Sequence, residues 1–183
     1  VTAADIPGNP YVGLIEQDWP VLIPVGESTR CTGDVIAAVV ADDPHLARRA
    51  AATIEVQYDV HQPVTDPRVA LEPNSPLVHP HRSSNHLSKS QLKRGDIEQG
   101  FRQAAHVLED TYRTQHGEHL FLEPESCIAI PRPKQHEVVA MHVYSQGQGV
   151  FDDQRQIASV LGIDQDRVQV ELVSNGGAFG GKE

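Results

Sequence analysis

The sequence predicts a mixed α+β fold, and three neighbouring segments carry that prediction. Residues 35–41, "VIAAVVA", form a continuous apolar run rich in Val and Ile, which is typical of a buried strand. Asp43 followed by Pro44 and by good helix formers predicts the start of a helix. Residues 54–60, "IEVQYDV", alternate apolar and polar side chains, which predicts a half-buried strand.

The middle of the chain changes character before regular structure is expected again. Residues 61–94 are rich in Pro, Ser, Asn and His, which is typical of a linker or a long ordered loop. Asp96 and Gln99 then stand at capping-box spacing, so "DIEQGFRQAAH" is predicted as a short helix. Strands are predicted for the three segments that follow it, "VLEDTYRT", "SCIAIPR" and "EVVAMHVYS".

The last elements lead into a glycine-rich loop. "QGVFDDQRQIASVLG" has a helical apolar period, and Gly162 is a typical C-terminal stop for that helix. "RVQVELV" alternates strictly and predicts a strand, with one face formed by Val168, Val170 and Leu172. The chain of 183 residues is long enough for one ordinary domain or two small ones.

Composition excludes several classes of protein. The formal net charge is −10 and no Lys/Arg run is present, so a basic groove for nucleic acid is not expected. No apolar run approaches a membrane span and no signal peptide is recognised, so we expect no membrane attachment. Cys31 and Cys127 show no paired spacing, which argues against a disulfide framework or a zinc motif and favours a cytoplasmic location.

The final ten residues, "SNGGAFGGKE", almost match a phosphate-binding loop. Gly176, Gly181 and Lys182 fit G-x-x-x-x-G-K, but Glu183 stands where a hydroxyl would hold Mg²⁺. A carboxylate there would repel phosphates, so a nucleotide site is disfavoured. Four glycines around Phe179 instead allow positive φ and close approach of backbone to a bulky ligand or an oxo group. The alternative is a tight structural turn with no ligand.

Three further groups of polar residues are weaker candidates. A metal site in "HGEH" is disfavoured because the spacing is not H-E-x-x-H; its residues are His116, Glu118 and His119. The Pro-rich segment carries three histidines that could bind a stray metal or simply be solvated, namely His79, His81 and His86. Gln148 lies where a strand meets a helix, a common place for a binding residue, although an ordinary polar role is equally compatible.

Five segments, taken in order, resemble the xanthine dehydrogenase and aldehyde oxidase family, the molybdenum hydroxylases. They are "VTAADIPG", "GDVIAAVVADDPHLARRAAATIEVQYD", "GDIEQGFRQAAHVLEDTYRT", "GEHLFLEPESCIAIP" and "NGGAFGGKE". The resemblance implies the C-terminal part of an α/β hammerhead domain at 1–70, a linker at 71–95 and the first segment of the molybdopterin-binding domain at 96–183. Because the chain starts without Met and stops inside a loop, we expect it to be a fragment.

The resemblance also implies roles for individual residues. Gln148 would hydrogen-bond the apical oxygen of the molybdenum, and Phe179 would contact the metal centre largely through its backbone. Gly177 and Gly180 would belong to the same cofactor-binding loop. Glu183 would touch the substrate, and Glu at this position is similar to the purine-oxidising members. Ala178 departs from many members, which have another Gly there.

The implied enzyme is a xanthine dehydrogenase-type oxidoreductase that hydroxylates a purine such as xanthine or hypoxanthine. Its molybdopterin would carry molybdenum, and electrons would leave through 2Fe–2S and FAD centres on partner domains or subunits of an oligomer. The family's general-base Glu lies outside this chain, so the fragment alone would hold no catalytic residue, bind no cofactor and be inactive. The alternatives are oxidation of another N-heterocycle or an aldehyde, or a non-catalytic binding or scaffold module of this fold.

Overall fold

The computed structural model describes residues 1–132 and 140–182, which divide into two compact units. The first unit contains residues 1–55 and 117–183, and the second contains residues 56–116. In the described part of the chain no helix is long and apolar enough to cross a membrane. The strands, in chain order, are β1 (Tyr11–Val12), β2 (Trp19–Pro20), β3 (Cys127–Pro131), β4 (Met141–Ser145) and β5 (Val168–Leu172). The α-helices are α1 (Pro44–Ala51), α2 (Pro67–Ala70), α3 (Ile97–Gln103) and α4 (Val150–Leu161), and 3₁₀ turns occupy Ala3–Asp5 and Gln165–Arg167.

The sheet of the first unit has the order β3-β4-β5. Strand β4 is antiparallel to β3, pairing Cys127 with Ser145, and parallel to β5, pairing Ser145 with Leu172. Helix α4 connects the two parallel strands, so β4, α4 and β5 form a βαβ unit. The carboxyl ends of parallel strands share one edge of a sheet, where α/β proteins place their ligands. The turn after β4 and the loop after β5 therefore meet at this edge.

Helix α4 is anchored at its C-terminal end by the first residues of the chain. Gly162 ends the helix in the left-handed conformation, with φ of 64°. The backbone N–H of Gly8 donates to the carbonyl of Val160 at 3.0 Å, and that of Asn9 donates to Ser159 at 2.9 Å. The first bond gives the Val160 carbonyl a partner outside the helix, and the second adds to the bond that Ser159 already accepts from the Gly162 N–H. A Cβ atom at Gly8 would lie 2.1 Å from the Ser159 carbonyl oxygen, so the contact requires glycine.

The apolar core of the described residues is small, and part of it lies in the three-stranded sheet and α4. Its buried members are Leu22, Ile23, Val143, Ala158 and Val168. The predicted inner face of β5 is therefore realised only at its start, because Val168 is buried while Leu172 is exposed. The side chains of β5 become more exposed towards the edge of the sheet at which the glycine-rich loop begins.

The predicted helix starts are confirmed by their caps. The Asp43 side chain accepts from the backbone N–H of Leu46 at 2.8 Å, and the Asp96 side chain accepts from that of Gln99 at 2.9 Å. Strands β3 and β5 and helix α4 also lie where they were predicted. The strand predicted over "EVVAMHVYS" is confirmed for Met141–Ser145, while residues 137–139 lie outside the described residues.

Three predicted strands are wrong. Residues 35–41, 54–60 and 107–114 form no strand in the described structure. The first segment makes only isolated bonds, including an exchange of two backbone hydrogen bonds between Ala38 and Val1, each at 2.9 Å. The other two segments expose their apolar side chains, as Val60 and Leu108 show. An apolar or alternating pattern produces a strand only where a neighbouring strand completes the ladder, and these segments have none among the described residues.

The Pro-rich middle of the chain contains a helix that was not predicted. Helix α2 begins at Asp66, whose carboxylate accepts from the backbone N–H of Arg68 at 2.8 Å. Asp66-Pro67 repeats the Asp-Pro start signal of α1, so the sequence did carry the information. The domain boundaries at residues 70 and 95 stay a prediction.

Candidate functional site at the carboxyl edge of the parallel strands

The turn after β4 is fixed by a short hydrogen-bond network. The hydroxyl of Ser145 donates to Asp153 Oδ2 at 2.9 Å and accepts from the backbone N–H of Gly147, also at 2.9 Å. Asp153 belongs to the first turns of α4, so the network ties the end of the strand to the start of the helix. A Cβ atom at Gly147 would lie 2.6 Å from Asp153 Oδ2. The turn that carries Gln148 therefore has no room for a side chain at Gly147.

Gln148 is joined to the glycine-rich loop by two hydrogen bonds. Its side-chain oxygen accepts from the backbone N–H of Gly180 at 3.1 Å, and its own backbone N–H donates to the carbonyl of Lys182 at 2.9 Å. Because a backbone N–H can only donate, the atom of Gln148 that faces Gly180 must be the carboxamide oxygen. The carboxamide is thereby oriented, with its NH₂ group as the donor end.

The loop has the backbone conformations that its glycines predict. Gly177 and Gly180 have φ of 122° and 88°, and Phe179 is itself left-handed, with φ of 54°. The ring of Phe179 lies over Gly177, where a Cβ atom would come within 2.9 Å of it. Phe179 is 74% exposed, so its ring presents an accessible aromatic surface beside the loop.

A second segment, residues 119–123, lies along the loop, and we call it the strap. The carboxylate of Glu123 accepts from the backbone N–H of Gly176 at 2.6 Å. A Cβ atom at Gly181 would lie 2.9 Å from His119 Cγ and from Phe121 Cε1. Alternate residues of the strap therefore face the loop. The residues between them, Leu120 and Leu122, are exposed.

Lys182 ends the loop with a buried ammonium group. The residue is 3% exposed, and its Nζ lies 4.4 Å from the centroid of the Phe121 ring. Nζ has no hydrogen-bond partner among residues 1–132 and 140–182. The negative face of the ring partly compensates the cost of removing the ammonium from water. The strap and the loop are thus held together at both ends of the loop.

The structure brings together four of the five predicted site residues. Gln148, Gly177, Phe179 and Gly180 lie on one turn and one loop at the same edge of the sheet. Glu183 lies outside the described residues, so its predicted substrate contact stays a prediction. The sequence reasoning did not assign a role to Glu123, to Phe121 or to the Ser145–Asp153 pair. The strap carried no signal for these contacts, because Leu120, Phe121 and Leu122 are all apolar and do not alternate with polar residues.

The histidines around Glu118 do not form a metal site in the described part of the chain. In the described chain, His116, Glu118 and His119 do not bring three ligand atoms together. His119 instead donates its backbone N–H to the Glu118 carboxylate at 3.0 Å. The rings of His79 and His81 lie edge to face, with centroids 5.7 Å apart.

The fold and this edge define a class of protein, and comparison with known families identifies it. A model of the molybdopterin cofactor-binding domain matches residues 78–183. A model described as aldehyde oxidase and xanthine dehydrogenase, a/b hammerhead domain, matches residues 1–62. The chain therefore belongs to the xanthine dehydrogenase and aldehyde oxidase family, and the predicted hammerhead and molybdopterin-binding segments are confirmed.

Individual relatives agree with this assignment. The chain is 31% identical over 183 residues to a probable xanthine dehydrogenase subunit of Bacillus subtilis and 30% identical over 183 residues to a xanthine dehydrogenase/oxidase of Gallus gallus. It is 32% identical over 177 residues to the nicotinate dehydrogenase large molybdopterin subunit of Eubacterium barkeri. The alignments cover 100%, 100% and 97% of this chain. They cover 24%, 12% and 40% of the relatives, so the chain spans well under half of their length.

Proposed function

We propose that this chain supplies the molybdenum-facing turn and loop of a molybdenum hydroxylase that oxidises a purine such as xanthine or hypoxanthine. The observation that carries the proposal is the hydrogen bond from Gly180 to the Gln148 carboxamide at 3.1 Å. It joins the turn that carries Gln148 to the glycine-rich loop, and a bound metal–pterin group would have to contact both. The match to the molybdopterin cofactor-binding domain over residues 78–183 supports the same conclusion.

The residues at this edge fit such a cofactor. Neither Gly147 nor Gly177 has room for a Cβ atom, because Asp153 Oδ2 and the Phe179 ring would lie 2.6 and 2.9 Å from it, so both positions offer bare backbone. The Gln148 carboxamide adds a neutral donor suited to an oxo ligand. Gln148, Gly177, Phe179 and Gly180 are therefore the residues that would hold the group. When bound, the cofactor supplies hydroxylation of an electron-poor carbon and takes up the electrons released.

The chain's own residues have distinct tasks in this proposal. Gln148 orients its amide donor, because its oxygen is already engaged by Gly180. The Phe179 ring shields one side of the loop. Glu183 hydrogen-bonds the heterocyclic substrate and offsets charge that develops on it in the transition state. The general base comes from a part of the enzyme outside this chain, so residues 1–183 alone are inactive.

Electrons leave through partners in this proposal. We infer 2Fe–2S and FAD centres on other domains or subunits of an oligomeric, cytoplasmic enzyme. Two of the relatives are themselves named as single subunits, the Bacillus subtilis protein and the large molybdopterin subunit of Eubacterium barkeri, which supports an assembly of several chains. Co-purification of a tagged full-length protein with flavin- and iron-containing polypeptides tests this part. Recovery of a flavin-free and iron-free protein with full activity would contradict it.

A second substrate class is supported by one specific observation. The nicotinate dehydrogenase relative is as similar to this chain as the xanthine dehydrogenases are, at 32% identity. A carboxylate at Glu183 can accept a ring N–H of a purine, and a protonated Glu183 can donate to the pyridine nitrogen of nicotinate. Oxidation of nicotinate or a related N-heterocycle is therefore the alternative, and an aldehyde substrate would give Glu183 no ring nitrogen to bind.

The test is a substrate panel on the complete holoenzyme that contains this sequence. Xanthine, hypoxanthine, nicotinate and benzaldehyde are compared in the wild type, in Glu183→Val and in the control Glu125→Val, whose side chain is exposed. We expect purine oxidation, and a loss of roughly 10²-fold in kcat/KM in Glu183→Val only. A preference for benzaldehyde, or equal activity in Glu183→Val, would contradict the purine proposal.

A further inference from the structure

We propose that Glu123 is a positioning residue that fixes the glycine loop and, through it, Gln148. Its importance for catalysis rests on the function proposed above. The inference itself rests on the contact between the strap and the loop. That contact involves no predicted cofactor residue directly.

The hydrogen bond to Gly176 is short and charge-assisted. The Glu123 carboxylate accepts the backbone N–H of Gly176 at 2.6 Å, and an ionised acceptor makes such a bond stronger than one between neutral groups. Gly176 begins the loop and lies 53 residues from Glu123 in sequence. A bond of this separation constrains the loop in a way that no local turn can.

The contact also requires glycine on the loop side. A Cβ atom at Gly176 would lie 2.3 Å from Glu123 Oε2 and 2.7 Å from its carboxyl carbon. The φ of Gly176 is not in the left-handed region, so the backbone itself would accept alanine. A side chain at residue 176 is therefore excluded because it would occupy the space of the Glu123 carboxylate.

The strap holds the loop on both sides of the Gln148 contact. Glu123 binds Gly176 before that contact, and Phe121 packs against Gly181 and Lys182 after it. Gly180, which donates to Gln148, lies between the two anchors. Releasing the first anchor lets the loop move where it meets Gln148.

Other carboxylates of the same segment provide matched controls. Glu125 is exposed and lies two residues from Glu123, and no hydrogen bond or ion pair is described for it. Glu125→Ala therefore removes the same charge from the same segment without touching Gly176. Glu123→Gln keeps an oxygen that can accept the Gly176 N–H and removes only the charge.

The experiment is hydrogen exchange of the holoenzyme followed by mass spectrometry on the peptide that contains residues 174–180. We expect exchange of this peptide to be roughly 10- to 100-fold faster in Glu123→Ala, because a hydrogen bond to a charged acceptor is lost. Glu123→Gln should be intermediate, and Glu125→Ala should match the wild type. Molybdenum content, measured on the same samples, should fall in the same order.

A second pair of variants tests whether the two residues act on each other. Gly176→Ala should speed exchange in the wild-type background and add little in Glu123→Ala, because the carboxylate that it displaces is already gone. Equal exchange in Glu123→Ala and Glu125→Ala, or an equal effect of Gly176→Ala in both backgrounds, would overturn the inference. Neither readout uses a substrate, so failure of the purine proposal would leave these results unchanged.

Discussion

The side-chain oxygen of Gln148 accepts the backbone N–H of Gly180 at 3.1 Å, across 32 residues of sequence. The same glutamine donates its backbone N–H to Lys182 at 2.9 Å. A turn at the end of one strand and a loop at the end of its parallel neighbour therefore form one hydrogen-bonded surface. The proposed cofactor site depends on these two hydrogen bonds.

Replacing Gln148 tests the contact between the turn and the glycine-rich loop directly. In Gln148→Ala the loop loses its acceptor and the proposed cofactor loses an oriented amide donor. We expect kcat of the holoenzyme to fall by roughly 10²-fold, as for loss of one preorganised donor, with lower molybdenum content. The control is Gln165→Ala, in the 3₁₀ turn that follows α4, which should retain wild-type activity. Full activity and full molybdenum content in Gln148→Ala would contradict the proposed role.

Residue 147 should tolerate a side chain only when the Asp153 carboxylate is removed. Gly147→Ala places a methyl group 2.6 Å from Asp153 Oδ2, and we expect it to destabilise the protein by about 1–3 kcal/mol through overpacking. In an Asp153→Ala background the added cost should shrink below about 1 kcal/mol. Denaturant unfolding measures both effects. In an Asp152→Ala background Gly147→Ala should keep its full cost, since the carboxylate that obstructs it is still present.

The buried ammonium of Lys182 should depend on the ring beside it. Phe121→Leu keeps an apolar side chain but removes the aromatic face that lies 4.4 Å from Nζ. We expect a loss of about 1–2 kcal/mol in the free energy of unfolding, within the range of desolvated cation–π contacts. Adding Lys182→Met should recover most of that loss, because a buried charge is replaced by an apolar side chain. Leu122→Ala, at a side chain 87% exposed, should change stability by less than about 0.5 kcal/mol.

The N-terminal cap of α2 should lose its stabilising effect at low pH. Hydrogen bonds from the side chain and the backbone of Arg68 lower the pKa of Asp66 from 3.8 to about 2. Because the folded pKa is depressed, the stabilisation is complete above pH 3.8 and is lost as the pH falls through about 2. The carboxyl ¹³C shift of Asp66 should titrate near the lower value. In Arg68→Ala the pKa should rise towards 3.8, and an unchanged titration would show that the Arg68 side chain is not the cause.

Elements set by local signals could be predicted from the sequence. The caps at Asp43 and Asp96 and the stop at Gly162 each act within one helical turn, so a short window contains the whole cause. The β5 strand and the positive φ of Gly177 and Gly180 likewise follow from local alternation and composition. These features place the turn and the loop at one edge of the sheet.

Features that need a distant partner could not be predicted in the same way. The apolar pattern of residues 35–41 suits a strand, but the described chain supplies only isolated bonds, between Ala38 and Val1 and from Ile23 to Val35. In the strap, the apolar Leu120 and Leu122 are exposed, while Glu123 faces the loop. Hydrophobicity alone predicts the opposite orientation, because the Gly176 N–H that attracts Glu123 lies 53 residues away.

A crystal structure of the holoenzyme, with molybdenum located by its anomalous scattering, tests the proposed site. We expect the metal to lie at the edge where Gln148 meets the glycine loop, beside Phe179 and Gly180. The hydrogen bond from Gly180 to Gln148 should be retained. Molybdenum bound elsewhere, with this edge facing solvent or packed against protein alone, would contradict the proposed site.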